Sequence, residues 1–256
     1  MKTMSAKDIV LKPISRQEAD KLVREHHYSG KIVPNSQIHI GVFYAGKLEG
    51  VMQYGPSMDK RKTMTLVADS SWSGFLELNR MAFSPALPKN SESRAIAMSM
   101  KILKKHLPDL EWIISYADAT QCGDGTIYRA SGFVLTGIKQ NTTLLQLPNG
   151  EIVADISLNT SNKKTGKNAS YWKKNGAKPL SGFQLRYIYF LEKDARARLT
   201  VPELPFDEIA KRGASMYRGE RLDSVNSNTS SFHEEAGGVN PTSRLHLKGA
   251  ESDPSL

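Results

Sequence analysis

A mixed α/β fold is predicted by this 256-residue sequence: a mostly antiparallel central sheet flanked by helices, with a basic C-terminal extension. Three observations carry the prediction. Strand-like and helix-like segments alternate along the chain. Two short alternating runs are joined by the tight turn Ala45-Gly46, a hairpin signal. Glu111–Tyr116 is a near-continuous apolar run, the pattern of a strand buried on both faces.

Each element follows from local chemistry. Ile9–Ile14 reads as a strand. Ser15 caps the next helix, with Glu18 as its capping-box partner and Leu22 and Val23 as its apolar face. That helix runs into His26, His27 and Tyr28; Ser29-Gly30 ends it, and Pro34-Asn35 keeps the following segment a loop. Gln37–Tyr44 and Lys47–Tyr54 are the hairpin strands, followed by a loop with Lys60, Arg61 and Lys62. Phe75–Phe83 is a strand, broken by Pro85 and Pro88. Ser91 is expected to cap an amphipathic helix in which Ile96, Met100 and Leu103 line one side. Lys101, Lys104 and Lys105 gather towards its C-terminus, where the helix dipole favours cations. Pro108 closes it. Gly123–Ser131 reads as a short helix, Val134–Ile138 as a strand, and Leu144–Leu147 with Ile152–Ile156 as a hairpin around Pro148-Asn149-Gly150. Phe183–Leu191 is a further strand of the same sheet.

Composition sets the class of partner. A net charge of +9 favours a polyanion, nucleic acid before anionic membrane. Residues 160–218 hold 13 Lys/Arg against five Asp/Glu, nearly the whole excess. The expected organisation is therefore a core over 1–158, a basic extension over 159–218 that completes the sheet and contacts nucleic acid, and a disordered Ser/Asn/Gly-rich tail over 219–256. With the single cysteine Cys122, neither an intrachain disulfide nor a cysteine-rich zinc site is available. No uncharged run approaches the ~18 residues of a membrane span, and a cytoplasmic protein is expected.

Several residues can carry chemistry. Asp118 and Asp124 flank the loop at the carboxyl end of the buried strand, where open α/β sheets bind ligands. Asp118 is the expected proton acceptor; Asp124 serves either chemistry or a helix cap. His26, His27 and Tyr28 either face a cleft as ligands or proton carriers, or pack and solvate. His27 or Tyr28 with Asp118 would hold a ferrous ion, although no tight ligand motif accompanies them. Cys122 is either an acyl carrier or a small buried filler. Lys163, Lys164, Lys167, Tyr171, Trp172, Lys173 and Lys174 interleave cations with two aromatics, which suits a phosphate-tracking surface with a stacking element as well as a solvated basic loop.

The alternating order and the run IYRASGFVLTG (Ile127–Gly137) resemble the GNAT acyltransferases. The expected donor loop departs from that family: Pro88–Arg94 (PKNSESR) has no glycine to cradle a pyrophosphate. A second resemblance covers roughly residues 10–140 and 183–191. EHHYSGK (Glu25–Lys31), ELNRMAFS (Glu77–Ser84), SESRAIA (Ser91–Ala97) and YADATQCGDGTIYRASGF (Tyr116–Phe133) are together similar to the phage Mom family. This resemblance implies a GNAT-like fold and an enzyme that converts adenine N6 in double-stranded DNA to a carbamoylmethyl (acetamido) form, shielding phage or prophage DNA from host restriction. It makes the core over 1–158 catalytic and the nucleic acid at the basic extension DNA. It implies catalytic roles for Asp118, Tyr28 and His27; Tyr128, placed where a GNAT tyrosine would protonate the leaving group, serves either that role or the core. Asn79, Arg80, Ser91, Ser93 and Arg94 form the expected donor-binding set. The donor is an activated acyl group, on glycyl-tRNA or acyl-CoA, and iron is admitted as a cofactor; an aminoacyl-tRNA would be a second nucleic-acid partner. Two alternatives stand beside this reading: a conventional GNAT acetyltransferase using acetyl-CoA on a small amine or protein, and a noncatalytic DNA-binding protein with a degenerate acyltransferase fold.

Overall fold

The computed structural model describes residues 5–161 and 166–222. Lys163, Lys164 and most of the Ser/Asn/Gly-rich tail lie outside the described residues. The chain opens with β1 (Val10–Pro13), α1 (Arg16–His26), β2 (Ile38–Tyr44) and β3 (Lys47–Gly55). Ser15 and Glu18 close a reciprocal capping box, and α1 ends with His27 as its C-cap, so Tyr28 lies beyond the helix. α2 (Lys60–Met64) follows, then β4 (Phe75–Phe83), α3 (Ser91–His106), β5 (Trp112–Asp118), α4 (Thr126–Ala130) and β6 (Val134–Asn141).

Beyond β6 come β7 (Leu144–Gln146), β8 (Ile152–Ala154), α5 (Asp155–Ser161), α6 (Ala169–Lys174) and β9 (Lys178–Pro179). β10 (Gly182–Phe190) and α7 (Lys193–Ala197) complete the main body.

The principal sheet has seven strands in the order β1-β2-β3-β4-β5-β10-β6, antiparallel except for the β4–β5 pair. The fold class is therefore as expected, a mixed, mostly antiparallel sheet with helices on both faces. The late strand enters between β5 and β6, so both neighbours satisfy its backbone groups and Leu185, Tyr187 and Ile188 are fully buried. α3 is the crossover between parallel strands β4 and β5. It packs Ala95, Ile96, Met100 and Leu103 into the main core on one face of the sheet.

Several local expectations are corrected. The Lys60–Lys62 loop contains a one-turn helix, capped by the Asp59 carboxylate on the Lys62 N–H. α3 is entered from Asn90 in the left-handed region (φ 70°), with no side-chain cap, and Ser91 is its first residue instead of its cap. α4 starts only at Thr126, because Gly125 holds φ 85° and a Cβ there would collide with the Tyr187 ring. The strand expected over Ile152–Ile156 stops at Ala154, and α5 takes over. β7, β8 and β9 form a separate small sheet. Its core of Leu145, Leu147, Val153, Leu158, Ala169 and Ala177 draws on both sides of residue 158.

Candidate active site

β4 and β5 pair only from Phe75–Trp112 to Glu77–Ile114 and then diverge, β4 staying with β3 and β5 with β10. Ser115 Oγ still spans the gap, donating to the Leu78 carbonyl at 3.2 Å. Just past the divergence, Asn79 is an extra residue in β4: Gln53 pairs with Arg80 and Tyr54 with Leu78. This bulge switches the alternation of the strand. Leu76 and Leu78 face the α3 side with Met81 and Phe83, while Ala82 packs under α1. Glu77 and Arg80, three apart, thereby share the face opposite α3.

On that face the apolar cover is divided. One cluster lies under α1 (Ala19, Leu22, Val23, Val51, Ala82) and another under α2 and α7 (Leu66, Val67, Phe75, Trp112, Ile114, Ile188, Ala195). Between them runs a strip of half-buried polar side chains: Glu77 and Arg80 from β4, Tyr116 and Asp118 from β5, Arg186 from β10. Burial raises the Glu77 carboxyl and the Tyr116 hydroxyl above their ordinary pKa values. The Arg80 Nε donates to the Lys31 carbonyl at 2.9 Å and Nη1 to the Asn79 carbonyl at 2.8 Å. Among the described residues no carboxylate lies within ion-pair distance of it, so its charge is available to an anion.

Asp118, the last residue of β5, is held by three donors. The Thr120 N–H reaches Oδ1 at 2.9 Å, while Gln121 Nε2 and the Tyr28 hydroxyl each reach Oδ2 at 3.0 Å. Tyr28 is 49% exposed with its hydroxyl turned in to Asp118. Burial first, and the neighbouring carboxylate second, raise its pKa, so it stays protonated and donates. His27 lies beside it, ring centroids 4.4 Å apart and planes tilted by 34°. The Ser29 N–H and Oγ both meet His27 Nδ1, at 3.2 and 2.9 Å. Nδ1 is thus the acceptor and Nε2 carries the proton. Burial, helped by Arg80, pushes the imidazole pKa down to about 3.

That donor set does not fit the iron admitted from the sequence. His27 Nδ1 is already engaged and Nε2 protonated, Tyr28 is held neutral, and the Asp118 oxygens already accept three hydrogen bonds. Among the described residues no group of three or more His, Cys, Asp or Glu converges on a point suited to a metal.

Tyr128 is buried, tilted against Phe133 and Tyr187 at 5.3 Å, with its hydroxyl against Ser115 in the gap between β4 and β5. Cys122 is half-buried, and burial together with Asp118 pushes its thiol up, the opposite of an activated nucleophile. Asp124 pairs with Arg129 at 3.0 Å and accepts from Thr126 Oγ1, a structural commitment. The expected donor-binding set falls on two faces. Arg80 lies beside His27 and Tyr28, and Asn79 accepts from Ser36 Oγ at 3.1 Å. Ser91, Ser93 and Arg94 begin α3 on the other face, where Ser91 is fully buried with its Oγ unpartnered.

In the basic stretch, Lys167, Tyr171 and Lys174 are exposed. Lys173 pairs with Asp155 at 2.8 Å, and Trp172 packs on the small core. This small sheet touches the site loop through Lys31, whose Nζ donates to the Ile152 carbonyl at 2.8 Å. Tyr116, Gln121 and Arg186 were not singled out from sequence. Alternation along β5 would have put Tyr116 on the face of Asp118, but Arg186 needed the position of β10.

Among the described residues no helix is long and apolar enough to cross a membrane. Solved structures similar in outline include the IAA acetyltransferase from Bacillus cereus (10% identity, 72% of this chain and 99% of that one, TM-score 0.42). Another is a spermidine/spermine N-acetyltransferase from Vibrio cholerae (9% identity, 75% and 98%, TM-score 0.42). The methylcarbamoylase mom of Escherichia phage Mu is 36% identical over 197 residues, 76% of this chain and 80% of its own length. Residues 8–208, which contain the whole polar strip, the Tyr28–Asp118 pair and the small basic sheet, match the profile of the Mom protein family. This chain belongs to the Mom protein family.

Proposed function

We propose that this protein is a transferase that converts adenine in double-stranded DNA to its N6-carbamoylmethyl (acetamido) form and so protects the DNA from restriction. The observation that carries the reading is the Asp118 carboxylate, ordered by three donors and joined to Tyr28, on a polar strip between two apolar covers. The relationship to a phage methylcarbamoylase supports the group transferred.

The adenine amino lone pair is delocalised into the ring, so the base must leave the duplex, lose water and meet both a proton acceptor and an activated donor. Asp118 takes the N6 proton. The His27–Tyr28 pair forms an aromatic ledge for the base, neutral because both groups are held uncharged. Arg80 binds an anionic part of the substrates; Ser93 and Arg94, on the other face, bind the donor, whose acyl group enters through the gap between β4 and β5; and Lys167, Tyr171, Lys173 and Lys174 bind the nucleic-acid backbone.

Carbamoylmethyl is an isomer of glycyl, which favours glycyl-tRNA over acyl-CoA as donor. In the first step N6 attacks the glycyl ester carbonyl: an N–C bond forms, the ester C–O bond breaks, and Tyr128 protonates the departing oxygen. In the second, the glycyl amine attacks adenine C6. The new C6–N bond replaces the bond to the original nitrogen, and the proton lost by the attacking amine is taken up by that nitrogen, which becomes the NH2 of the terminal amide. No oxidant or reductant is consumed.

Mass spectrometry of nucleosides from plasmid DNA after expression in bacteria tests this. A deoxyadenosine heavier by about 57 mass units, absent with Asp118→Ala, is expected. Unaltered deoxyadenosine from well-expressed, folded protein would overturn the reading in favour of an acetyl-CoA-dependent acetyltransferase. Dependence of the same product on aminoacylated tRNA in a purified reaction distinguishes the two donors.

A further inference from the structure

Met58 is 86% exposed, more than any other large apolar side chain among the described residues, and Trp72 is 57% exposed. Such side chains in water forfeit the stabilisation that burial would give them. Both belong to the segment linking β3 to β4, and that segment is tied to the rim of the polar strip at two points. Gly55, at the end of β3, packs so closely that an added Cβ would sit 2.8 Å from Asn79 Oδ1 in the bulge. Thr63 in α2 lies against Tyr116. Met58 stands between these anchors in the chain, three residues beyond one and five before the other.

The charges beside it have the same character. The Asp59 cap fixes one short turn from which Lys60, Arg61 and Lys62 extend, with no ion-pair partner among the described residues. Arg61 and Lys62 are exposed, while Lys60 is braced with its Nζ 4.6 Å from the centre of the Trp72 ring. An apolar tip followed by three cations without carboxylate partners among the described residues suits a duplex, which presents stacked bases beside phosphates.

We propose that the Pro56–Gly74 segment is the duplex-opening element of this enzyme. Lys60, Arg61 and Lys62 hold phosphates beside the target, and Met58 enters the base stack to fill the space left by the extruded adenine. The proposal rests on the base-modifying reading above, and the experiment separates the two.

The full-length protein is titrated into duplexes carrying 2-aminopurine in place of adenine, in a set that covers every flanking nucleotide, with fluorescence reporting unstacking and anisotropy reporting affinity. The parent protein raises the fluorescence several-fold. Met58→Ala keeps affinity within about threefold but loses most of that rise. The Lys60→Gln/Arg61→Gln/Lys62→Gln variant weakens binding about tenfold at low salt and lowers the slope of log affinity against log salt by about 2–3. Urea denaturation verifies that these surface variants fold. A Met58→Ala protein with the full fluorescence rise, or a triple variant with the parental salt slope, overturns the proposal alone. A parent protein that binds the duplexes without unstacking any base overturns it together with the base-modifying reading.

Discussion

Replacing Asp118 with asparagine keeps the shape of the side chain and removes one charge and one acceptor. Thr120 N–H, Gln121 Nε2 and the Tyr28 hydroxyl converge on the carboxylate at 2.9–3.0 Å. Oriented to keep Thr120, the asparagine carbonyl leaves its NH2 facing Gln121 and Tyr28, which can answer by an amide flip and a hydroxyl rotation. Each bond falls from charge-assisted to neutral strength, about 1 kcal/mol apiece, and water reaching the half-exposed Tyr28 side recovers part of that. The net cost to stability is about 1–2 kcal/mol. Loss of the proton acceptor costs far more in rate, about 10²–10⁴-fold. Urea denaturation reads the first quantity, and a time course of modified deoxyadenosine by mass spectrometry reads the second. Asp118→Asn protein that is stable yet modifies DNA within about tenfold of the parental rate would refute the assignment of Asp118 as the base.

Three further outcomes follow from the same geometry. The folded-state pKa of His27 lies at about 3, below its ordinary value near 6.5, so the unfolded chain binds more protons between these limits. The stability associated with the neutral ring is complete above about pH 6.5 and is lost as pH falls towards 3, on the order of 2–3 kcal/mol after allowing for solvent access; His27→Asn should flatten that part of a stability–pH profile. Gly125→Ala forces a side chain into φ 85° and into the Tyr187 ring, and should lose about 2–4 kcal/mol in urea unfolding, where an unchanged midpoint would contradict the packing described. Cys122→Ser should retain most of the modification activity, since the thiol is pushed away from its nucleophilic form; an inactive but folded variant would restore the acyl-carrier role.

Much of this molecule was legible in its sequence because it depends on neighbours in the chain. The Ser15–Glu18 capping box, the apolar stripe of α3, the hairpin at Ala45-Gly46 and the buried strand ending at Asp118 all arise from backbone periodicity and local hydrogen bonding. They placed Asp118 at the carboxyl end of a central strand, where the structure puts it and where open α/β sheets bind ligands. The tertiary structure alone decided what faces it. Tyr28 meets Asp118 across 90 residues of sequence. Arg186 joins the polar strip only because β10 enters between β5 and β6. Asn79 is an ordinary strand residue until β3 is laid beside it, for a bulge is a mismatch between two strands and neither one's pattern contains it. Trp172 was read as a stacking element from its lysine neighbours, but it packs on a small core that includes residues of β7, β8 and α5. Periodicity assigns a side chain to a face; which other faces cover it is set by pairing register and by burial shared among distant segments.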